Sequence, residues 1–306
     1  MLDPIVVPAI HAAWFRLPPQ LEGLRRLAFH QLGKAIAHLE AADQDWEEQV
    51  HEARKALKRL RALVCLVRAE LGPEVMRWEN RSLGLTARLL GGLRDAAALV
   101  ECLDQLDAWS GKPHLRVRAW LLERKGAPGA GQEMIGEVVD ALRWTQVRVE
   151  QWPLQGLGWE AIGPGVQWVY ARGRRCLGLA REEGGEECFH QWRRYAKYGW
   201  YHAQILHELW PSLMEVTQAG FDRVGELLGA DHDLAVLAGL LQAEWPARRS
   251  KIEVRDLEVA FPLRQAELQA EALELGSRLY AESPRALARR WGRYWEVWGS
   301  EPLSKN

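Results

Sequence analysis

The chain has 306 residues, of which 48 % are hydrophobic and 26 % are charged, a profile typical of one or two packed globular domains. Its formal net charge at pH 7 is −1, so it is not a polycation, and any binding of anions has to come from local segregation of charge. This balance disfavours a nucleic-acid-binding domain, which is typically basic as a whole.

Residues 1–20 contain Pro4, Pro8, Pro18 and Pro19 and are predicted to form an irregular lead-in. They lack the basic region of a signal peptide, and no apolar run in the chain is long enough to span a membrane. The four cysteines form no C-x-x-C pair and are predicted to be free thiols in a reducing compartment. We therefore expect a cytoplasmic protein with no membrane partner.

From Leu21 onward, apolar residues recur at helical spacing, with very little of the period-2 alternation typical of strands. The first half predicts helices over about 21–42, 45–70, 74–90 and 93–109, a short helix ending near 125, and a helix over 132–150. A stretch at 151–165, rich in Gly and Pro, is the predicted linker. The second half predicts helices over about 166–183, 188–209, 211–229, 231–244, 248–260, 263–281 and 285–299. The predicted fold class is all-α.

One predicted helix, VHEARKALKRLRALVCLVR at 50–68, has a cationic face. At about 100° per residue, its basic side chains fall within one half of the helix surface and its apolar side chains on the other. Glu52 is its only acid, and two of its i,i+4 pairs are like-charged, which destabilises an isolated helix. We interpret this face as a surface for an anionic ligand, formed by His51, Arg54, Lys55, Lys58, Arg59 and Arg61.

The pattern H-x-x-[RK]-[RK]-x-x-K of this helix occurs a second time, in FHQWRRYAKYGWYH at 189–202. An Arg side chain can bind a phosphate through two N–H groups, a Lys adds a movable charge, and a His beside phosphates is favoured in its protonated form. Two helical turns of such residues are long enough to contact several successive phosphates of a linear chain. The second copy is formed by His190, Arg193, Arg194 and Lys197.

A second match follows each basic helix after about forty residues, where LLGGLRDAAAL at 89–99 pairs with LLGADHDLAVL at 227–237. It aligns Arg94 with His232 and Asp95 with Asp233. This internal duplication predicts two helical bundles related by a pseudo-twofold, over 21–150 and 166–306, with both cationic faces directed at a shared central groove.

Both aspartates of the second match are predicted at the start of a helix. A carboxylate there stabilises the helix dipole, and it can also orient an Arg or His of the basic face. A further basic cluster in YARGRRCLGLARE, which includes Arg172 and Arg175, either widens the cationic surface or is an ordinary solvated face.

Other chemistry is disfavoured by missing motifs. No H-E-x-x-H, C-x-x-C or carboxylate cluster completes a metal site, and no glycine-rich loop follows a strand, so no metal or cofactor is expected. His232-Asp233 lacks the further ligands of a metal-dependent phosphohydrolase. Two alternatives to a simple anion-binding protein remain: a phosphohistidine relay or phosphohydrolase using His51 or His190, and a helical protein that binds RNA or DNA.

The duplicated helices resemble those of the CHAD family, the conserved histidine α-helical domain. The resemblance covers about 21–245 and rests on VHEARKALKRLRALV, LGGLRDAAAL, YARGRRCLGLA, FHQWRRYAKYGWYH and LGADHDLAVL. It implies two four-helix-bundle halves that bind inorganic polyphosphate without catalysis, in association with polyphosphate granules. Sequence-specific binding of nucleic acid is not expected.

The resemblance also implies contact residues, and the chain departs from the family pattern at some of them. The implied contacts are the ten basic residues of the two repeated helices, and Arg94 and Asp95 occupy the family's Arg-Asp position. Tyr198 and Trp200 stand where the first repeat has Arg59 and Arg61, which predicts that the second copy binds phosphate more weakly. The chain has no E-x-E-x-K signature of the triphosphate-processing domain found in many relatives, so we expect no enzymatic activity.

Overall fold

The computed structural model describes residues 21–41, 46–91, 95–123, 132–155, 158–245 and 252–300. Within these ranges it contains eleven α-helices and no strand, which confirms the predicted all-α class. The predicted lead-in at 1–20 and the Gly-rich loop at 126–131 lie outside the described residues. The helices are α1 (Leu21–Glu40), α2 (Trp46–Leu66), α3 (Arg68–Leu89), α4 (Asp95–Ser110), α5 (Leu115–Glu123), α6 (Gln132–Glu150), α7 (Trp159–Glu182), α8 (Glu186–Ile205), α9 (Pro211–Glu244), α10 (Ile252–Leu279) and α11 (Pro284–Ser300).

The first bundle consists of α1, α2, α3 and α6, each packed against its two neighbours in a closed ring. Each helix presents apolar residues at helical spacing to a common core, and burying them is the main favourable term in folding. The fully buried leucines at its centre include Leu32, Leu57, Leu83 and Leu142, one from each helix.

The second bundle consists of α7, α8, α9 and α10 in the same closed arrangement. Its core contains Leu177, Leu228, Ala272 and the fully buried Trp192. The turn before α8 requires glycine, because Gly184 and Gly185 adopt positive φ angles of 66° and 83°. Glu186 and Glu187 then occupy the first turn of α8, where their charges stabilise the helix N-terminus.

The two bundles meet along α2, which packs against both α7 and α8. His202 of α8 is buried and its Nε2 donates to the carbonyl oxygen of Ala62 at 2.8 Å. Gly165 of α7 approaches the end of α2 so closely that a Cβ atom there would overlap the Leu66 carbonyl oxygen. The basic helices α2 and α8 are therefore neighbours at the centre of the molecule.

Helices α4 and α5 leave the first bundle and pack against α9 and α10 of the second. Trp109 Nε1 donates to Glu267 Oε2 at 2.8 Å, and the rings of Trp120 and Trp245 meet edge to face with centroids 5.4 Å apart. The first repeat thus contributes two helices to the other half.

Several predicted helix boundaries were wrong. Helix α9 continues through Gly229, where a break was predicted, because packing against α8 and α10 outweighs the low helix propensity of one glycine. Asp233 therefore lies in the middle of a helix, and the helix-dipole role predicted for it is wrong, whereas Asp95 does begin α4. Helix α10 likewise continues through Pro262.

The predicted linker differs in part from the structure, whereas a predicted break agrees with it. Helix α7 begins at Trp159, so the last part of the predicted linker at 151–165 is helical. The break predicted at Gly72-Pro73 is confirmed: Gly72 has the non-helical angles φ 74° and ψ 165°, so α3 consists of two helical segments that meet at a kink there. Among the described residues, no helix combines the length and the apolar character needed to cross a membrane.

Candidate anion-binding site

The two basic helices make the same contact with the two copies of the Leu-Leu-Gly motif. Arg54 of α2 lies against Gly91, where a Cβ atom would be 3.4 Å from Arg54 Nη1, and Arg193 of α8 lies against Gly229, where a Cβ would be 3.1 Å from Arg193 Nη2. Arg54 Nη1 also donates to the carbonyl oxygen of Leu90 at 3.3 Å. Because the sequence match pairs both arginines and both glycines, the structure gives the duplication a physical meaning: each glycine leaves room for the guanidinium of its own repeat.

The cations of α2 divide into two groups rather than forming one surface. Arg54 and Arg61 face α3, where Arg61 Nε donates to Asn80 Oδ1 at 2.8 Å. Lys55 instead forms an ion pair with Glu52, with 2.5 Å between Nζ and Oε1. Arg59 is oriented away from α3, since its charge acts on His30 of α1 and Tyr201 of α8. Lys58 is exposed and His51 is half-buried.

Helix α3 widens the α2 surface with arginines that the sequence analysis missed. Arg81 and Arg88 are exposed on α3, within one turn of Gly84. A Cβ atom at Gly84 would be 3.5 Å from the guanidinium carbon of Arg61. The sequence did indicate this wider cationic surface, because neither 53–69 nor 80–94 contains an acidic residue. Two adjacent helical stretches without acids concentrate positive charge locally in a chain of nearly neutral charge.

The second half differs, because its basic helix α8 packs against acidic residues of α9. Lys197 Nζ lies 2.8 Å from Asp222 Oδ1. Burial lowers the pKa of Arg193, and the negative charge of Asp233 opposes that shift. The negative charge of Asp233 therefore acts on a basic residue of α8. The cations of the second half are partly neutralised within the protein itself.

Arginines and aromatic rings gather where α2, α7 and α8 meet. The guanidinium carbons of Arg68 and Arg172 lie 4.8 Å and 5.4 Å from the ring centroid of Trp168. Arg194 lies 5.1 Å from the Tyr195 ring, and the Trp168 and Tyr195 rings meet edge to face at 5.8 Å. Stacking on a ring positions a guanidinium while leaving its N–H groups available to a ligand.

Tyr198 and Trp200, the aromatic residues at the repeat positions of Arg59 and Arg61, each lie beside a basic side chain. Tyr198 is buried, with the Arg61 guanidinium 6.0 Å from its ring centroid, and Trp200 carries Lys197 Nζ at 5.2 Å from its ring. Arg175 is exposed on α7 beside Arg172. Arg94 and the side chain of Asp95 lie outside the described residues. Sequence analysis did not identify Arg68 and Trp168, because no local pattern relates a helix start to a distant tryptophan.

The two histidines of the second half form a pair. The rings of His190 on α8 and His232 on α9 have centroids 4.6 Å apart. Burial is the main cause that lowers the pKa of His190, and the neighbouring positive charges of His232 and Arg193 lower it further. Within the part of the chain that the structure describes, no three His, Cys, Asp or Glu side chains converge as they would to hold a metal ion.

Comparisons with known proteins agree with this architecture. The family model for the CHAD domain matches residues 26–242. The crystal structure of the CHAD domain from the plant Ricinus communis superposes with a TM-score of 0.55 at 19 % sequence identity, over 88 % of this chain and 91 % of that one. Comparison with curated proteins gives no sequence match. Because the family model covers well over half of the chain, the chain belongs to the CHAD family.

Proposed function

We propose that this protein binds inorganic polyphosphate without changing it chemically. The observation that carries the proposal is the cationic surface of α2 and α3, formed by Arg54, Lys58, Arg61, Arg81 and Arg88 on two stretches, 53–69 and 80–94, that contain no acidic residue. The chain belongs to the CHAD family, and the resemblance to this family implies polyphosphate binding. Family membership therefore supports the proposed function.

The driving force is electrostatic. A linear polyanion that lies along this surface replaces the counterions of its own phosphates with arginine and lysine side chains, and the released counterions favour binding. Contacts with about five cations predict that the logarithm of the binding constant falls with the logarithm of salt concentration with a slope of about −4.

The shape of the surface favours a thin, flexible chain over a nucleic-acid duplex. Arg54 and Arg61 are half-buried between α2 and α3, and Arg68 and Arg172 are stacked on Trp168 at the junction of the bundles. A single flexible chain of phosphates can reach the half-buried Arg54 and Arg61 and continue to the exposed Arg172 of α7, whereas a rigid duplex reaches half-buried groups less easily. We therefore propose that the protein prefers polyphosphate to DNA and is located on polyphosphate granules in the cytoplasm.

Binding without catalysis is part of the proposal. A phosphohistidine relay or a phosphohydrolase needs a histidine and a positioned acid or base beside the transferred phosphate. The His190 ring instead faces a second histidine, and Lys55, next to His51 in the helical surface, is already paired with Glu52.

The test is a competition experiment with polyphosphates of graded length at moderate salt. We expect tight retention of long polyphosphate, weak binding of orthophosphate, and little displacement of polyphosphate by duplex DNA. Equal retention of DNA and polyphosphate would contradict the proposed ligand. Release of orthophosphate from the bound chain, or an acid-labile phosphate on His51 or His190, would contradict the non-catalytic assignment.

A further inference from the structure

The His190–His232 pair is a titratable element inside the cationic surface of the second half. His190 lies one turn from the start of α8, on the helix that also carries Arg193 and Arg194, and His232 reaches it from α9. Among the described residues, the Nδ1 atoms of both rings are buried without a hydrogen-bond partner. Two adjacent imidazoles with unsatisfied nitrogens can take up a proton when their electrostatic environment changes.

The charges around the pair come from α8 and α9, and α10 adds uncharged polar groups. Those acting on His190 are His232 from α9 and Glu187, Arg193 and Arg194 from α8. His232 Nδ1 lies 3.7 Å from Glu186 Oε1 of α8 and acts on Asp231 of its own helix. From α10, Gln265 and Gln269 donate to Asp231 Oδ1 at 3.1 Å and 2.9 Å and so hold that carboxylate in place.

The first repeat has a permanent charge where the second has a titratable one. The sequence match aligns His232 with Arg94. Arginine stays protonated at all physiological pH values, whereas histidine changes charge between about pH 5 and 8. The duplicated positions therefore differ in how they respond to pH.

We propose that polyanion binding to the second half is coupled to the uptake of about one proton by the His190–His232 pair, so that affinity rises as pH falls. This inference rests on the proposed binding of polyphosphate. The expected number is one because two imidazolium ions with ring centroids 4.6 Å apart repel each other, which disfavours a second proton.

Proton linkage determines whether the affinity rises or falls with pH. In the free protein, burial and neighbouring positive charges hold the pKa of His190 below its usual value, so the ring is neutral at pH 7. Phosphates placed beside Arg193 and Arg194 favour the protonated form and raise that pKa. Between the two pKa values, each proton taken up strengthens binding by up to about tenfold per pH unit of acidification.

The test is isothermal titration calorimetry of the full chain with long-chain polyphosphate at pH 7, in two buffers of different ionisation enthalpy. The difference in apparent enthalpy gives the number of protons taken up, and we expect a value approaching one. In parallel, NMR titration of the wild-type histidine ring protons is expected to show the pKa of His190 rising on saturation with polyphosphate, which needs no mutation.

Three variants localise the effect. His190→Gln and His232→Gln are expected to abolish most of the proton uptake. His232→Arg installs the residue of the first repeat, and it should keep binding tight at pH 8 while removing the pH dependence. His207→Gln, outside the cationic surface, is the control and should leave the proton count unchanged.

The outcomes separate this inference from the proposed function. Tight binding without proton uptake, or with uptake that survives both glutamine variants, would overturn the inference alone. Absence of polyphosphate binding at every pH would overturn both.

Discussion

Lys197 and Asp222 form an ion pair between α8 and α9, with 2.8 Å between Nζ and Oδ1. When the alignment of the two Leu-Leu-Gly segments is continued towards the N-terminus, Gly84 of α3 aligns with Asp222 of α9. In the first half the guanidinium of Arg61 lies against that glycine, and its Nε donates to Asn80 Oδ1. Lys197 is thus held by a carboxylate at a position where the first repeat has glycine.

This relationship predicts that Asp222→Asn strengthens polyphosphate binding. The substitution frees Lys197 from its intramolecular partner, and partly exposed ion pairs contribute about 0.2–1 kcal/mol, so the expected gain in affinity is about two- to fivefold at low salt. The measurement is direct titration with long polyphosphate. Glu274→Gln removes a carboxylate that pairs with Arg278 on the outer surface of α10 and serves as control. An unchanged affinity of the Asp222 variant, or an equal gain in the control, would contradict a role for Lys197 in binding.

The arginines of α3 give a second prediction. Arg81→Gln combined with Arg88→Gln should weaken polyphosphate binding and make the salt dependence shallower by about 1.5 units, because two cations no longer displace counterions. The measurement is the binding constant at several salt concentrations. Arg285→Gln with Arg289→Gln removes the same charge from exposed positions of α11 and should change neither quantity appreciably. A salt slope unaffected by the α3 substitutions would place the ligand elsewhere.

Stability at acid pH gives a prediction that is independent of any ligand. Burial lowers the pKa of His202 to about 4, while its Nε2 donates to the Ala62 carbonyl oxygen across the bundle junction. Since the folded-state pKa lies below the unfolded value of about 6.5, the unfolded chain binds more protons as pH falls from about 6.5 to 4. The free energy of unfolding should decrease by up to about 3 kcal/mol over that window through this residue.

Chemical denaturation of the wild type and of His202→Gln at pH 7 and pH 4.5 measures this contribution. The glutamine retains an amide donor but does not titrate, so the variant should lose less stability on acidification than the wild type. If both proteins lost the same amount, the buried neutral state assigned to His202 would be wrong.

Much of the fold could be predicted from residue periodicity. The apolar spacing of α2 and α8 identified both helices and their buried faces, and the duplication identified the contact-forming residues Arg54 and Arg193 as equivalent. The break predicted at Gly229 was wrong because helix propensity is a local quantity, whereas the continuity of α9 depends on packing against its neighbours.

The candidate site was less accessible from sequence, because its properties depend on which helices are neighbours. The helical surface of 50–68 predicted one cationic face, yet Lys55 and Arg59 are oriented away from Arg54 and Arg61. No pattern within α8 indicates that Lys197 meets a carboxylate of α9, since a charge pair between helices is fixed only by tertiary packing. The binding roles of these side chains stay predictions.

Double charge reversal on α2 tests the central claim most directly. Arg54→Glu with Lys58→Glu reverses two cations one helical turn apart on the proposed surface, and Arg285→Glu with Arg289→Glu reverses two exposed cations at the same spacing on α11. Affinity for long polyphosphate at moderate salt is measured for both variants, with Lys58→Glu alone as a substitution at an exposed position that leaves the Leu90 contact intact. We expect a loss of at least about 100-fold for the α2 pair, since hydrogen bonds to charged groups contribute about 1.5–3 kcal/mol each, and a loss below about threefold for the α11 pair. Equal losses in the two pairs, or retention of wild-type affinity in the α2 pair, would contradict polyphosphate binding at the surface of α2 and α3.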